Sequence, residues 1–175
     1  MKTTLVISLI GEDRPGLVEL LSQRVLELRG HWLASQFCRL QGQFAGTLQV
    51  RVAKEHSMAL KQGLQQLQSQ GLQVMVADAK PTRQVPNYGL QLRFVGPDRC
   101  GVIAEISEAL RSLGVSINSL DSHCEPAPMS NESIFHACFD TLVPVSVSCD
   151  QLSHALAELA PELLLDLESV EADVS

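Results

Sequence analysis

The sequence predicts an α+β protein of two tandem ferredoxin-like units, each running βαββαβ. Each unit is expected to form a four-stranded antiparallel sheet with two helices on one face. Three observations carry that expectation. A motif recurs 85 residues apart (96 − 11): Gly11-Glu-Asp-Arg-Pro-Gly-Leu17 and Gly96-Pro-Asp-Arg-Cys-Gly-Val102 share G-x-D-R-x-G-[LV]. An alternating apolar run precedes each copy, and apolar residues spaced by three or four follow it. Two more strand patterns, a second helical pattern and a last strand complete each half.

Each unit opens on a strand. Leu5, Ile7 and Leu9 alternate with Val6 and Ser8; Leu90, Leu92 and Phe94 alternate with Gln91, Arg93 and Val95. A helix follows the motif, with Pro15 expected at its first position and Asp13 and Asp98 expected to cap. Its buried face is expected to hold Val18, Leu21, Val25 and Leu28, matched by Ile103, Ile106, Leu110 and Leu113. Gly30 and Gly114 are the expected C-terminal stops.

Paired strands come next, over about 31–40 and 44–53, then about 115–124 and 133–142. Gly42 marks a short turn in the first pair. In the second, Glu125-Pro-Ala-Pro-Met-Ser-Asn131 reads as a longer exposed loop. The second helices are expected over His56–Gln70, burying Met58, Leu60, Leu64 and Leu67, and over Asp150–Ala160, burying Leu152, Leu156 and Leu159. Final strands carry Leu72, Val74 and Val76, and Leu163, Leu165 and Leu167. The resulting organisation is a first domain at 1–79, a polar, proline-broken linker at 80–87 and a second domain at 88–175.

Composition narrows the function classes. Aromatic residues make up 4% of the chain, so the core must be built from Leu, Val and Ile. The formal charge of −7 repels phosphate, and no long Lys/Arg cluster offsets it, which argues against direct nucleic-acid binding. No apolar stretch is long enough to span a bilayer and none reads as a signal peptide, so a cytosolic protein with no membrane role is expected. The five cysteines form no CxxC pair and read as free thiols.

A strand, then Arg14-Pro15-Gly16-Leu17, then an amphipathic helix closed by glycine resembles the ACT domain, a small-molecule sensing module that usually binds amino acids. Arg99-Cys100-Gly101-Val102 departs from that motif at Cys100. Two such units, with a long loop after Cys124, resemble the glycine cleavage system transcriptional repressor family. That resemblance implies indirect repression through a transcription activator protein, with an amino acid such as glycine as signal; the alternatives are a ligand-free protein–protein interaction module and a free-standing regulatory subunit of an amino-acid metabolic enzyme. It also implies no catalysis and no cofactor. A sheet face or edge left open makes a homo-oligomer an expectation too.

The candidate ligand residues are Gly11, Asp13, Arg14 and Gly16 in the first unit, with Gly96, Asp98, Arg99 and Gly101 in the second. Backbone N–H groups at a helix start suit a carboxylate, glycines permit close approach, and an Arg can fork onto an anion. Alternatively the glycines serve only the turn, and each Arg pairs with its neighbouring Asp. The resemblance places ligands between this loop and the start of the second strand of a neighbouring unit, commonly at Gly-x-Asn-Ile. Here the segments read Gly30-His31-Trp32-Leu33 and Gly114-Val115-Ser116-Ile117. Ser116 and Asn118 make the second unit's site the fuller one, whereas Trp32 occupies ligand space in the first.

Two other constellations are weaker. His123, Cys124, His136 and Cys138 suggest a metal, but adjacent residues point to opposite faces. Closure of the hairpin across 125–131 would set His136 nearer Leu120 than His123, so no metal site is expected. Cys100 heads a helix, as a reactive thiol would, yet its repeat partner is the inert Pro15. No catalytic residue is assigned.

Overall fold

The computed structural model describes residues 1–80, 86–127 and 132–170. The chain divides into two compact units, Met1–Thr82 and Arg83–Ser175. Most of the expected linker (81–85), the end of the 125–131 loop (128–131) and the last residues of the second domain (171–175) lie outside the described residues.

The first unit runs β1 (Lys2–Glu12), α1 (Leu17–Glu27), β2 (His31–Leu40), β3 (Gln43–Ala53), α2 (Ser57–Gln65) and β4 (Leu72–Asp78). The second repeats the plan with β5 (Asn87–Pro97), α3 (Val102–Ser112), β6 (Ser116–Pro126), β7 (Ser133–Pro144), α4 (Cys149–Leu159) and β8 (Leu164–Val170). The sheets order as β2-β3-β1-β4 and β6-β7-β5-β8, antiparallel throughout. This is the ferredoxin-like arrangement, twice.

Strand alternation decides which sheet face the helices cover. Leu5, Ile7 and Leu9 point inward with Leu48, Val50 and Val52, against Leu21, Val25, Leu60 and Leu64 of the two helices. Leu90, Leu92, Phe94, Phe135 and Phe139 meet Ile106, Leu110, Leu152 and Leu156 in the same way. Each fully buried aliphatic side chain contributes roughly 1.5–3 kcal/mol. The opposite face of the second sheet carries Arg93, His136, Cys138 and Asp140, all at least partly exposed.

The helices start later than expected. Gly16 and Gly101 precede α1 and α3 in the left-handed region, φ 90° and 93°, and neither helix has a side-chain cap. Pro15 therefore lies outside α1, and neither Asp13 nor Asp98 caps. The buried stripe also differs by one position at its start. Leu17 and Val102 are buried, while Val18 and Ile103 are exposed. Met58 and Leu159 are likewise exposed, whereas Ser57 at the start of α2 and Ala160 just past α4 are buried. Past Gln65 the second helix tightens into a 3₁₀ turn over Gln66–Gln70, ended by Gly71 at φ 84°.

At the C-terminal ends, Gly114 (φ 70°) corresponds to Arg29 (φ 58°), not to Gly30. Gly30 N and Val115 N each return a hydrogen bond to the helix, at 2.8 Å and 2.9 Å. Gly30 is required for space instead: a Cβ there would lie 2.8 Å from Val50 Cγ1 and 2.9 Å from Val25 Cγ1. The same one-residue correction applies beyond. Bulges interrupt β2 between Trp32 and Ala34 and β6 between Ile117 and Ser119, which aligns Asn118 with Leu33.

Candidate functional site

Both βα loops are built from the same parts. The first motif glycine is a packing requirement, because a Cβ on Gly11 would lie 2.6 Å from Gly71 O, and one on Gly96 2.5 Å from Leu163 Cδ2. The close approach at this position is made by the segment that leads into the unit's own last strand. The second glycine, Gly16 or Gly101, turns the chain through the left-handed region; a Cβ would meet open space at Gly16 and only Glu105 Oε1, at 3.9 Å, at Gly101. A cavity of about 240 Å³ opens beside the first loop, among Asp13, Arg14, Gly16, Leu17, Arg39 and Phe44. One of about 300 Å³ opens beside the second, among Asp98, Arg99, Gly101, Ile103, Cys124 and Phe135.

The loops differ in charge. Arg14 Nη2 donates to the Gln70 carbonyl at 2.9 Å, and no carboxylate pairs with it among the described residues. Asp13 lies 3.2 Å from Arg39 Nε, in an ion pair rather than an aligned hydrogen bond. In the second loop, Arg99 is gripped by Glu105 and Glu162, with Nε 2.7 Å from Glu162 Oε1 and Nη1 2.8 Å from Glu105 Oε1. The hydrogen bonds that it donates to Glu105, then to Glu162, raise the guanidinium pKa above its ordinary value. In return Arg99 holds the Glu105 carboxyl below its usual range. Glu162 is also lowered, first by its own backbone N–H and then by Arg99. One cation among two carboxylates leaves this loop net negative.

Neither Arg pairs with the Asp beside it. The 85-residue offset sets Glu105 opposite Leu20, and Glu162 packs beside Gly96 where Gly71 packs beside Gly11, so Arg14 has no carboxylate where Arg99 has two. Asp98 instead faces Cys124, the counterpart of Arg39. Burial first, then the hydrogen bond to Asp98, pushes the Cys124 thiol up, away from reactivity.

Ser116 and Asn118 stand apart from the loop of their own unit. Ser116 lies opposite Leu142 and so level with Gly89, seven residues down β5 from Gly96. That is roughly 23 Å at strand rise. The bulge at Asn118 also interrupts the alternation that would set it beside Ser116. A site combining this loop with a strand start therefore needs a strand from elsewhere. Trp32 packs against the first core and edge-on to Phe37, at 6.0 Å between ring centroids.

The hairpin register differs from the expected one. Pairing runs out to Pro126 and Ser133, and Ala127 N donates to Glu132 O at 2.9 Å. His123 consequently lies directly across from His136, not beyond it. The expected closure across 125–131 missed this because the strands continue through Glu125 and Pro126. Sequence reasoning therefore also missed Glu125, two residues from His123 on the same side of β6. The signal was present as His-x-Glu, but it needs the register to be read.

Fold and loop together define a class: a protein of two βαββαβ units, each presenting a glycine-turned loop at a helix start. Residues 3–77 match the family model of the ACT domain. The first unit is an ACT domain, and the chain is a tandem protein of that fold. An unknown protein from Galdieria sulphuraria superposes with a TM-score of 0.81 at 24% identity, over 97% of this chain and 99% of that one. A protein provisionally named a glycine cleavage system transcriptional repressor superposes at 0.72 with 19% identity, over 98% of this chain and 99% of that one. Both likenesses concern the fold. No curated protein matches by sequence. Among the described residues no helix is long and apolar enough to cross a membrane.

Proposed function

We propose that the chain is a regulatory protein with no catalytic role, which senses a small amino acid and passes its occupancy to a transcription activator. Glycine is the proposed signal and the glycine cleavage operon the proposed target. The ACT family of the first unit and the fold shared with the provisionally named repressor support this reading. The observation that carries it is the first loop. Arg14 has no carboxylate partner there among the described residues, and it borders a cavity at the start of α1. Backbone N–H groups and a cation at a helix start favour a ligand carboxylate. The second loop, net negative around Arg99, suits a ligand ammonium better than a carboxylate. Signalling then requires different ligand affinity in the free and activator-bound states.

A thermal-shift screen against the twenty amino acids tests this. At 100 times its dissociation constant a ligand stabilises by about 2.7 kcal/mol, which moves the midpoint by several degrees. The expected result is a selective shift with glycine that disappears in Arg14→Ala. The closed ion cluster at Arg99 and the packed Trp32 favour a second reading, a ligand-free protein–protein interaction module. The absence of any shift would favour that one in its place.

A further inference from the structure

The open face of the second sheet carries a cluster that the loop reading does not use. His123 and Glu125 stand two apart on β6, and His136 lies across from His123 on β7. Their ligand atoms all lie within 4.8 Å of one another. The two imidazoles stack, with centroids 5.0 Å apart and planes 6° from parallel. His136 Nε2 is buried and makes no hydrogen bond, because Glu125 Oε1 lies 3.1 Å away but out of line with the ring N–H.

We propose that His123, Glu125 and His136 bind one divalent transition-metal cation, with zinc the best fit. Metal–nitrogen and metal–oxygen bonds of about 2.0–2.2 Å at tetrahedral angles set ligand atoms roughly 3.3 Å apart. The Glu125–His136 pair already has nearly that spacing. His123 is exposed, so rotation of its side chain closes the remaining gap. Two imidazoles and a carboxylate suit zinc, nickel or copper and disfavour calcium or magnesium. Three protein ligands leave a fourth position for water or a small donor. Arg93, on the same face, does not oppose the cation with an uncompensated charge, because it pairs with Glu168 at 3.2 Å. A cavity of about 170 Å³, lined by Arg93, Asp121, His123, His136 and Cys138, adjoins the cluster.

The repeat argues that the fold does not demand these residues. Their counterparts in the first unit are Cys38, Leu40 and Ala45, which form no such group. A bare His–Glu contact is the competing account, and metal affinity separates the two.

The full chain, freed of metal with a chelator, would be titrated with zinc by calorimetry. One equivalent per chain is expected, with binding at least tenfold weaker in His136→Gln and in Glu125→Gln. Cys138→Ser should bind as the wild type does, which excludes the neighbouring thiol. Cobalt should give a visible ligand-field band in the wild type that both cluster variants lack. All three residues are partly or fully exposed on an open face, so the variants should keep the wild-type circular dichroism. Absence of stoichiometric zinc binding, or equal affinity in the wild type and both variants, would overturn the site.

Discussion

At the residue scale, equivalent positions of the two motif copies have diverged in electrostatics while keeping their backbone. Gly16 and Gly101 hold the same left-handed turn, φ 90° and 93°. Arg14 and Arg99 leave those turns into different surroundings, because only the second unit places carboxylates around its Arg. A pH prediction follows from that cluster. The folded-state pKa of Glu105 is lowered, so its contribution to stability is full above its ordinary value of 4.5 and fades as the pH falls through the lowered one. Glu105→Gln should therefore be less stable than wild type at pH 7, with the gap closing at acid pH. Urea midpoints at several pH values check this. A gap that stays constant into acid would remove Arg99 pairing as its cause.

At the element scale, α1 and α3 begin differently from α4. α1 and α3 start from glycine turns with no side-chain cap. α4 starts from a capping box: Ser148 Oγ accepts from Gln151 N at 3.2 Å, and Gln151 Oε1 accepts from Ser148 N at 2.9 Å. Removing the cap by Ser148→Ala should cost about 1 kcal/mol, read from chemical denaturation. Amide protection should fall first over the opening turn of α4, and loss spread evenly along the helix would count against a local cap. β2 and β6 each lie at one edge of their sheets, and nearly all of β6 is exposed. That exposure places the His123–Glu125 pair within reach of solvent cations.

At the scale of the whole molecule, two cores built from equivalent positions share no residue. The net charge of −7 is spread over a chain with 13 Lys and Arg. Counterion release is the main source of non-specific nucleic-acid affinity, and a surface of this sign gains little from it. Fluorescence anisotropy with duplex DNA at low salt should show no binding. Salt-dependent binding there would redirect the proposed repression from an activator to DNA itself.

The sequence by itself determined the element order, the two-unit plan and the inward faces of the strands. These follow from period-two and period-3.6 patterns within about ten residues, and the repeat states them twice. It also marked Gly11, Gly16, Gly96 and Gly101 as special, without separating those needed for space from those needed for φ. Only the tertiary structure decided the remainder. Arg99 finds Glu162 63 residues away, a meeting no local pattern encodes. The delayed helix starts depended on glycine turns in place of caps, and Leu17 and Val102 face the core instead of Val18 and Ile103. His123 meets His136 because the hairpin stays paired out to Pro126 and Ser133. A loop rich in turn formers does not say where pairing ends, and the partners nearest the turn are set by that end point.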